Sequence, residues 1–171
     1  VGEFSVIHGA ARVDIAVING SIHGYELKSD LDTLYRLPSQ MEAFSSVMDY
    51  MTIVVGRHHL LEAIRIVPEW WGVSIAKIDS HNSLDFCEIR ATEENPHRDS
   101  IAVAQLLWRG EAISILENRE QARGVRSKPR KNIYERLISV LDQETLRAEV
   151  RKCLLARTNW RPDLLQVSYG G

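Results

Sequence analysis

Along the first half of the chain the apolar positions fall in short, β-branched clusters rather than at helical spacing. Arg12 to Ile18 reads Arg-Val-Asp-Ile-Ala-Val-Ile and predicts a buried strand. Asn19-Gly20 marks a tight turn, and the chain returns over about Ile22 to Ser29. Pro38 suits the first turn of a helix reaching to about Met48, with Met41, Phe44, Val47 and Met48 as its apolar stripe. Tyr50 to Val55 is the next strand, His58 to Ile66 a helix closed by Pro68, and Val73 to Ile78 and Asp85 to Ala91 two further strands joined by the polar loop at Ser80 to Ser83.

After Glu93-Glu94-Asn95-Pro96 the period becomes helical and stays so. Helices are predicted over Ile101 to Trp108, Glu111 to Glu117, Lys131 to Leu141 and Glu144 to Arg157. The order β-β-α-β-α-β-β followed by four helices implies an α/β class: a central mixed sheet with flanking helices, then a small helical C-terminal region. Residues 1–95 would form the core, and residues 96–171 a helical part of helix-turn-helix or winged-helix character.

The 171 residues, 44% of them hydrophobic, suffice for a sizeable core without disulfides. Two cysteines, Cys87 and Cys153, give no disulfide framework, which points to a reducing, cytoplasmic setting. No apolar run reaches the roughly 18 residues of a membrane span, and no basic-then-apolar leader is present, so a membrane is not an expected partner. The net charge of −2 hides an asymmetry: 9 Lys and Arg face 17 Asp and Glu up to position 118, against 12 facing 6 from position 119 onward. An acidic half that gathers a cation beside a basic half that meets a polyanion would produce this pattern.

Asp14 lies inside an apolar strand, where a carboxylate needs a partner, a proton or a cation. Glu26 and Lys28, two apart on the returning strand, leave one face of the sheet together. Whether Asp14 joins them depends on register. A two-residue Asn19-Gly20 turn pairs Ile18 with Ser21 and sets Asp14 opposite Tyr25; a three-residue loop, or a bulge at Gly24, moves the pairing by one and sets Asp14 opposite Glu26. In the second register two hard carboxylates converge with an ammonium, a set suited to Mg²⁺ and phosphate chemistry.

Asp14 followed by Glu26-Leu27-Lys28 resembles the D…(D/E)xK hairpin of the PD-(D/E)XK nuclease superfamily, restriction-endonuclease-like proteins, with Val13 where the name has proline. Gln40 and Phe44 are similar to the QxxxY motif of its exonuclease branch, with phenylalanine in place of tyrosine. The wider stretches Arg12 to Gly20, His23 to Asp30 and Pro68 to Gly72 resemble a small group of uncharacterised bacterial proteins within that superfamily. The resemblance implies Asp14, Glu26 and the Leu27 carbonyl as Mg²⁺ ligands, with Mn²⁺ as substitute. It also implies Lys28 beside an attacking water, Gln40 positioning that water or the metal, and Glu3 as a further ligand. The expected activity is hydrolysis of phosphodiester bonds in DNA. The D…ExK spacing by itself recurs in unrelated chains.

Basic residues crowd between Arg119 and Arg136, where Gly124 to Pro129 reads as a polar loop between helices, with Arg123, Arg126, Lys128, Arg130 and Lys131 as candidate phosphate contacts. Arg147, Arg151, Lys152, Arg157 and Arg161 would extend that surface, or dock against the acidic half of the chain. His58-His59 cannot share a helix face and read as surface or capping residues. Trp70-Trp71, Trp108 and Trp160 read as packing residues. The alternatives are a nuclease-like DNA-binding or regulatory protein without catalysis and a structural or inhibitory partner of another nuclease. A homodimer would supply the two sites that cutting a duplex requires, and no residue identifies one.

Overall fold

The computed structural model describes residues 2–6, 11–78 and 83–157. One six-stranded sheet forms the frame, with its strands in chain order: β1 (Gly2–Val6), β2 (Ala11–Ile18), β3 (Ile22–Lys28), β4 (Tyr50–Val55), β5 (Gly72–Ile78) and β6 (Leu84–Arg90). The first three run antiparallel as a meander; β3, β4 and β5 are mutually parallel, and β6 returns antiparallel at the far edge. The expected class therefore holds: a mixed central sheet, flanking helices and a helical C-terminal region. β1 is an addition to the elements predicted from the sequence.

Helix α1 (Leu37–Ser45) carries the chain from β3 to β4, and a 3₁₀ turn (Arg57–His59) leading into α2 (Leu60–Ile66) carries it from β4 to β5. Both crossovers step the same way along the sheet, so right-handed connections set both helices on one face. Burial follows this arrangement. On β3, Gly24, Glu26 and Lys28 are buried and Leu27 is exposed; Met51, Ile53 and Val55 on β4 are buried beside the first three. The reverse face has no helix on it among the described residues. There, Ile15, Tyr25, Leu27, Val54, Ala76 and Phe86 line an open groove.

Helices α3 (Ser100–Ala104), α4 (Arg109–Glu117), α5 (Arg130–Val140) and α6 (Gln143–Ala156) follow, and α6 packs back onto β2. One hydrophobic core runs without a break from Phe4 on β1 to Leu154 on α6. At the passage from strands to helices Asn95 is fully buried, its Nδ2 donating to the carbonyls of Ser45 (2.7 Å) and Met48 (2.8 Å). Asp49, 2% exposed, fixes the same junction. It accepts from the Ile22 N–H at 2.8 Å and lies 3.1 Å from Arg98, 3.3 Å from Arg147 and 4.0 Å from Arg151.

Several boundaries differ from the sequence expectation. The stripe ending at Val47 and Met48 is apolar because both residues are buried in the turn after α1, not because the helix continues. The predicted helix from His58 starts as the 3₁₀ turn, and the one from Ile101 stops at Ala104. Most of the predicted loop at Ser80 to Ser83, together with Trp160 and Arg161, lies outside the described residues. Among the described residues no helix is long and apolar enough to cross a membrane.

Candidate active site

The hairpin takes the three-residue loop. Ile18 pairs with Ile22, Val17 with His23, Ala16 with Gly24 and Ile15 with Tyr25, leaving Asn19, Gly20 and Ser21 between the strands. Gly20 takes φ +93, a left-handed conformation in which glycine has no Cβ penalty. The paired ladder ends at Ile15 and Tyr25; Asp14, one residue further along β2, lies near enough to Glu26 for its charge to act on that carboxylate. Gly24 is needed for space rather than for a bulge: a Cβ there would sit 2.4 Å from Met51 Sδ and 3.3 Å from Val13 Cγ2. On β2 the buried residues Val13 and Ala16 are three apart, so the two-residue alternation breaks between them, at Asp14 and Ile15. The Asp14 carboxylate, half-buried, accepts from the Leu27 N–H at 2.8 Å and ties β2 to the middle residue of Glu26-Leu27-Lys28.

Glu26 is the centre of the cluster. It is 1% exposed, and its Oε1 accepts from Lys28 Nζ at 2.7 Å and from Gln40 Nε2 at 2.8 Å. Lys28 is 9% exposed. Burial raises the Glu26 pKa, the Lys28 hydrogen bond opposes the rise, and the neighbouring Asp14 charge adds to it. Two oxygens remain: Glu26 Oε2 and Gln40 Oε1 are buried with no hydrogen-bond donor. Orphaned acceptors beside a second carboxylate have the chemistry of hard oxygen ligands. Among the described residues no group of three His, Cys, Asp or Glu side chains gathers to hold an ion, so a cation here would depend on Asp14, Glu26, backbone and water oxygens. Mg²⁺ is ordinarily held by only one or two carboxylates.

The predicted residues Asp14, Glu26, Lys28 and Gln40 are thus brought together from three elements. Gln40 reaches the cluster because α1 lies over β3, and Phe44, one helical turn on, is fully buried against Trp71 with ring centroids 6.4 Å apart. Glu3 is placed differently: its exposed carboxylate pairs with Arg12 at 3.3 Å.

The basic residues divide into two groups. Arg123, Arg126, Lys128, Arg130 and Lys131 are exposed on the loop before α5 and on its first turn. Arg126 lies 2.9 Å from Glu117 and Lys131 3.9 Å from Glu135, while Arg123, Lys128 and Arg130 form no ion pair among the described residues. The Arg109 guanidinium donates to the carbonyls of Arg126 and Lys128 and so supports this loop. Beside it lies a cleft of about 530 Å³ lined by Lys128, Asn132 and Arg136 among others. Cations at a helix N-terminus, with no acidic residue in the first turn of α5, are unfavourable until an anion arrives.

The second group turns inward. Arg147 and Arg151 serve Asp49, and Arg119 pairs with Glu149 at 2.7 Å. Arg157 holds Glu111 at 2.6 Å and lies 4.3 Å from the centre of the Trp108 ring. Trp108 is therefore an exposed ring faced by a cation, not a packing residue, whereas Trp70 and Trp71 are buried as expected. His58 is exposed, its N–H donating to Asp30 Oδ1 at 3.0 Å. The sequence reading missed the Asp49 cluster, for which the one local signal is a carboxylate between the apolar Met48 and the strand start at Tyr50.

A six-stranded α/β protein with an acidic hairpin site and a basic helical surface is what fold and site together define. Residues 1–166 match the family model of bacteriophage P4 protein cII, and the chain belongs to that family. Protein cII of Enterobacteria phage P4 is 34% identical over 83 residues, covering 48% of this chain. The chain spans 31% of that relative's length. Among solved structures, the SPO1766 protein of unknown function from Silicibacter pomeroyi aligns with 75% of this chain and 84% of its own, at 17% identity and a TM-score of 0.42.

Proposed function

We propose that this protein is a Mg²⁺-dependent nuclease of the PD-(D/E)XK type that hydrolyses phosphodiester bonds in DNA. The observation that carries the reading is the cluster at the buried Glu26, whose carboxylate accepts from Lys28 and Gln40 and feels the charge of Asp14 on the neighbouring strand. Polar residues scattered without a ligand to serve give no reason for Glu26 Oε2 and Gln40 Oε1 both to be buried without donors.

Asp14, Glu26 and the Leu27 carbonyl would hold the cation, which when bound supplies an acidified water and neutralises charge at the phosphoryl group. The chain's own groups do the rest. The Leu27 N–H fixes the Asp14 carboxylate, leaving its other oxygen for the ligand. Lys28, whose Nζ lies 2.7 Å from Glu26 Oε1, would present a compact positive charge to the attacking water and the phosphate. Gln40 keeps Glu26 in orientation through its Nε2 and offers its Oε1 to a water. The exposed Arg123, Lys128 and Arg130 would hold the DNA backbone, with Arg126 and Lys131 beside them.

The test is direct. Purified protein with Mg²⁺ or Mn²⁺ degrades or nicks DNA, Lys28→Ala lowers the rate by at least about a hundredfold while circular dichroism stays unchanged, and isothermal titration with Mn²⁺ gives a signal that Asp14→Ala removes. Full activity in Lys28→Ala refutes the reading. A second reading, a nuclease-like DNA-binding protein that does not cut, draws on the sealing of Glu26 from solvent by Lys28. It predicts DNA binding with no cleavage under any divalent cation.

A further inference from the structure

Helix α5 buries one side and bares the other. Ile133, Tyr134 and Leu137 are buried where α5 meets α3 and α4, and the Tyr134 hydroxyl donates to the Leu107 carbonyl at 2.9 Å. Away from that packing, Asn132, Glu135, Arg136 and Ser139 line the cleft beside the loop that carries Lys128. Asn132, Arg136 and Ser139 succeed one another by single helical turns and so form one strip. The surroundings of the strip are basic. From Arg123 to Arg136 the chain has six Lys and Arg against one carboxylate, Glu135. Arg126 pairs with Glu117 and Lys131 with Glu135, while Arg123, Lys128, Arg130 and Arg136 form no ion pair among the described residues. Against these four stands the exposed Glu120 at the start of the loop, so the patch keeps its positive sign.

We propose that α5 enters the major groove of duplex DNA, where Asn132 and Arg136 hydrogen-bond base edges while Arg123, Lys128 and Arg130 hold the adjoining phosphates. A helix with its side chains is about 10–12 Å across and the major groove about 12 Å wide, whereas the minor groove, about 6 Å, admits no helix. The side-chain chemistry agrees with that placement. An asparagine amide pairs bidentately with adenine N6 and N7, and an arginine guanidinium with guanine O6 and N7. A solvated helix surface ordinarily mixes charges of both signs. Here a further cation, Arg109, donates to the carbonyls of Arg126 and Lys128 and so holds like charges side by side against their repulsion, an arrangement that an arriving polyanion relieves. The inference rests on the reading of the substrate as DNA and names its form, a duplex gripped by the helical region.

Binding is measured in EDTA, so that cleavage plays no part. Repeated capture from DNA duplexes of about 20 base pairs with a randomised centre should enrich a preferred run of about three or four base pairs that includes adenine and guanine. On that sequence Asn132→Ala and Arg136→Ala each weaken binding roughly tenfold and relax the choice at one position. Lys128→Ala weakens preferred and random duplexes alike and flattens the salt dependence by about one phosphate contact. A duplex RNA of the same sequence, whose major groove is too deep and narrow for a helix, binds at least about tenfold more weakly. Enrichment of no sequence, equal binding of duplex RNA or of a single strand, or Asn132→Ala and Arg136→Ala proteins that bind like the wild type overturns the proposal. Selective binding by a protein that cuts nothing with Mg²⁺ or Mn²⁺ refutes the nuclease reading and leaves this one standing. Cleavage of DNA without selective binding of the duplex does the reverse.

Discussion

Single side chains in this protein are placed by what they cannot find in water. His23 is an example on β3: its ring stacks on Tyr25 at 4.3 Å, and its Nε2 lies 2.9 Å from Thr52 Oγ1. Burial lowers its pKa from the ordinary 6.5. Below that ordinary value the unfolded chain takes up a proton that the folded ring refuses, so the contribution of His23 is fully present above pH 6.5 and is lost as pH falls toward the folded pKa. Thermal unfolding followed from pH 7.5 down to pH 5 should therefore show a decline that is shallower in His23→Gln. A wild type and a variant with parallel profiles would remove His23 from the account. Glu26 obeys the same logic with the opposite sign, since burial favours its protonated form.

At the scale of elements, the hairpin was legible because parity and turn length left two registers to choose between, and one of them converges the acidic groups. What chose between them was not legible. Gly24 must lack a side chain because Met51, on a parallel strand more than twenty residues later, fills the space above it. Packing of that kind is invisible to local pattern. Gly24→Ala should destabilise by about 1–3 kcal/mol, the usual cost of overfilling a packed core. Combining it with Met51→Ala should cost less than the two single changes added together, because each relieves the other. Additive losses in urea unfolding would show that the two positions do not meet. The end of α1 was misread for a related reason: Val47 and Met48 continue an apolar stripe, but burial in a turn produces the same residues as burial in a helix. The strand β1 escaped notice because it is five residues long and interrupted at Glu3, which adopts φ 51.

At the scale of the whole molecule, the charge asymmetry along the chain has two uses, and only one could be inferred from sequence. The loop before α5 keeps its cations outward, while Arg147 and Arg151 on α6 are spent on Asp49 at the start of β4. Nothing in a linear sequence distinguishes an arginine awaiting phosphate from one awaiting a buried aspartate. Asp49→Asn leaves Arg98, Arg147 and Arg151 without their counter-charge in a largely buried place, and should cost about 3 kcal/mol in chemical denaturation with an unchanged slope. A loss under 1 kcal/mol would mean that solvent already screens the cluster.

The order of the strands in space repeats their order in the chain, and this bears on how the protein is made. Each strand leaving the ribosome finds its neighbour already present, so the sheet can extend by simple addition without waiting for distant segments. Asp49 is synthesised early and two of its arginines late. A nascent chain halted before α6 thus holds Asp49 with Arg98 as its sole arginine of the three, and only the arrival of α6 brings the other two.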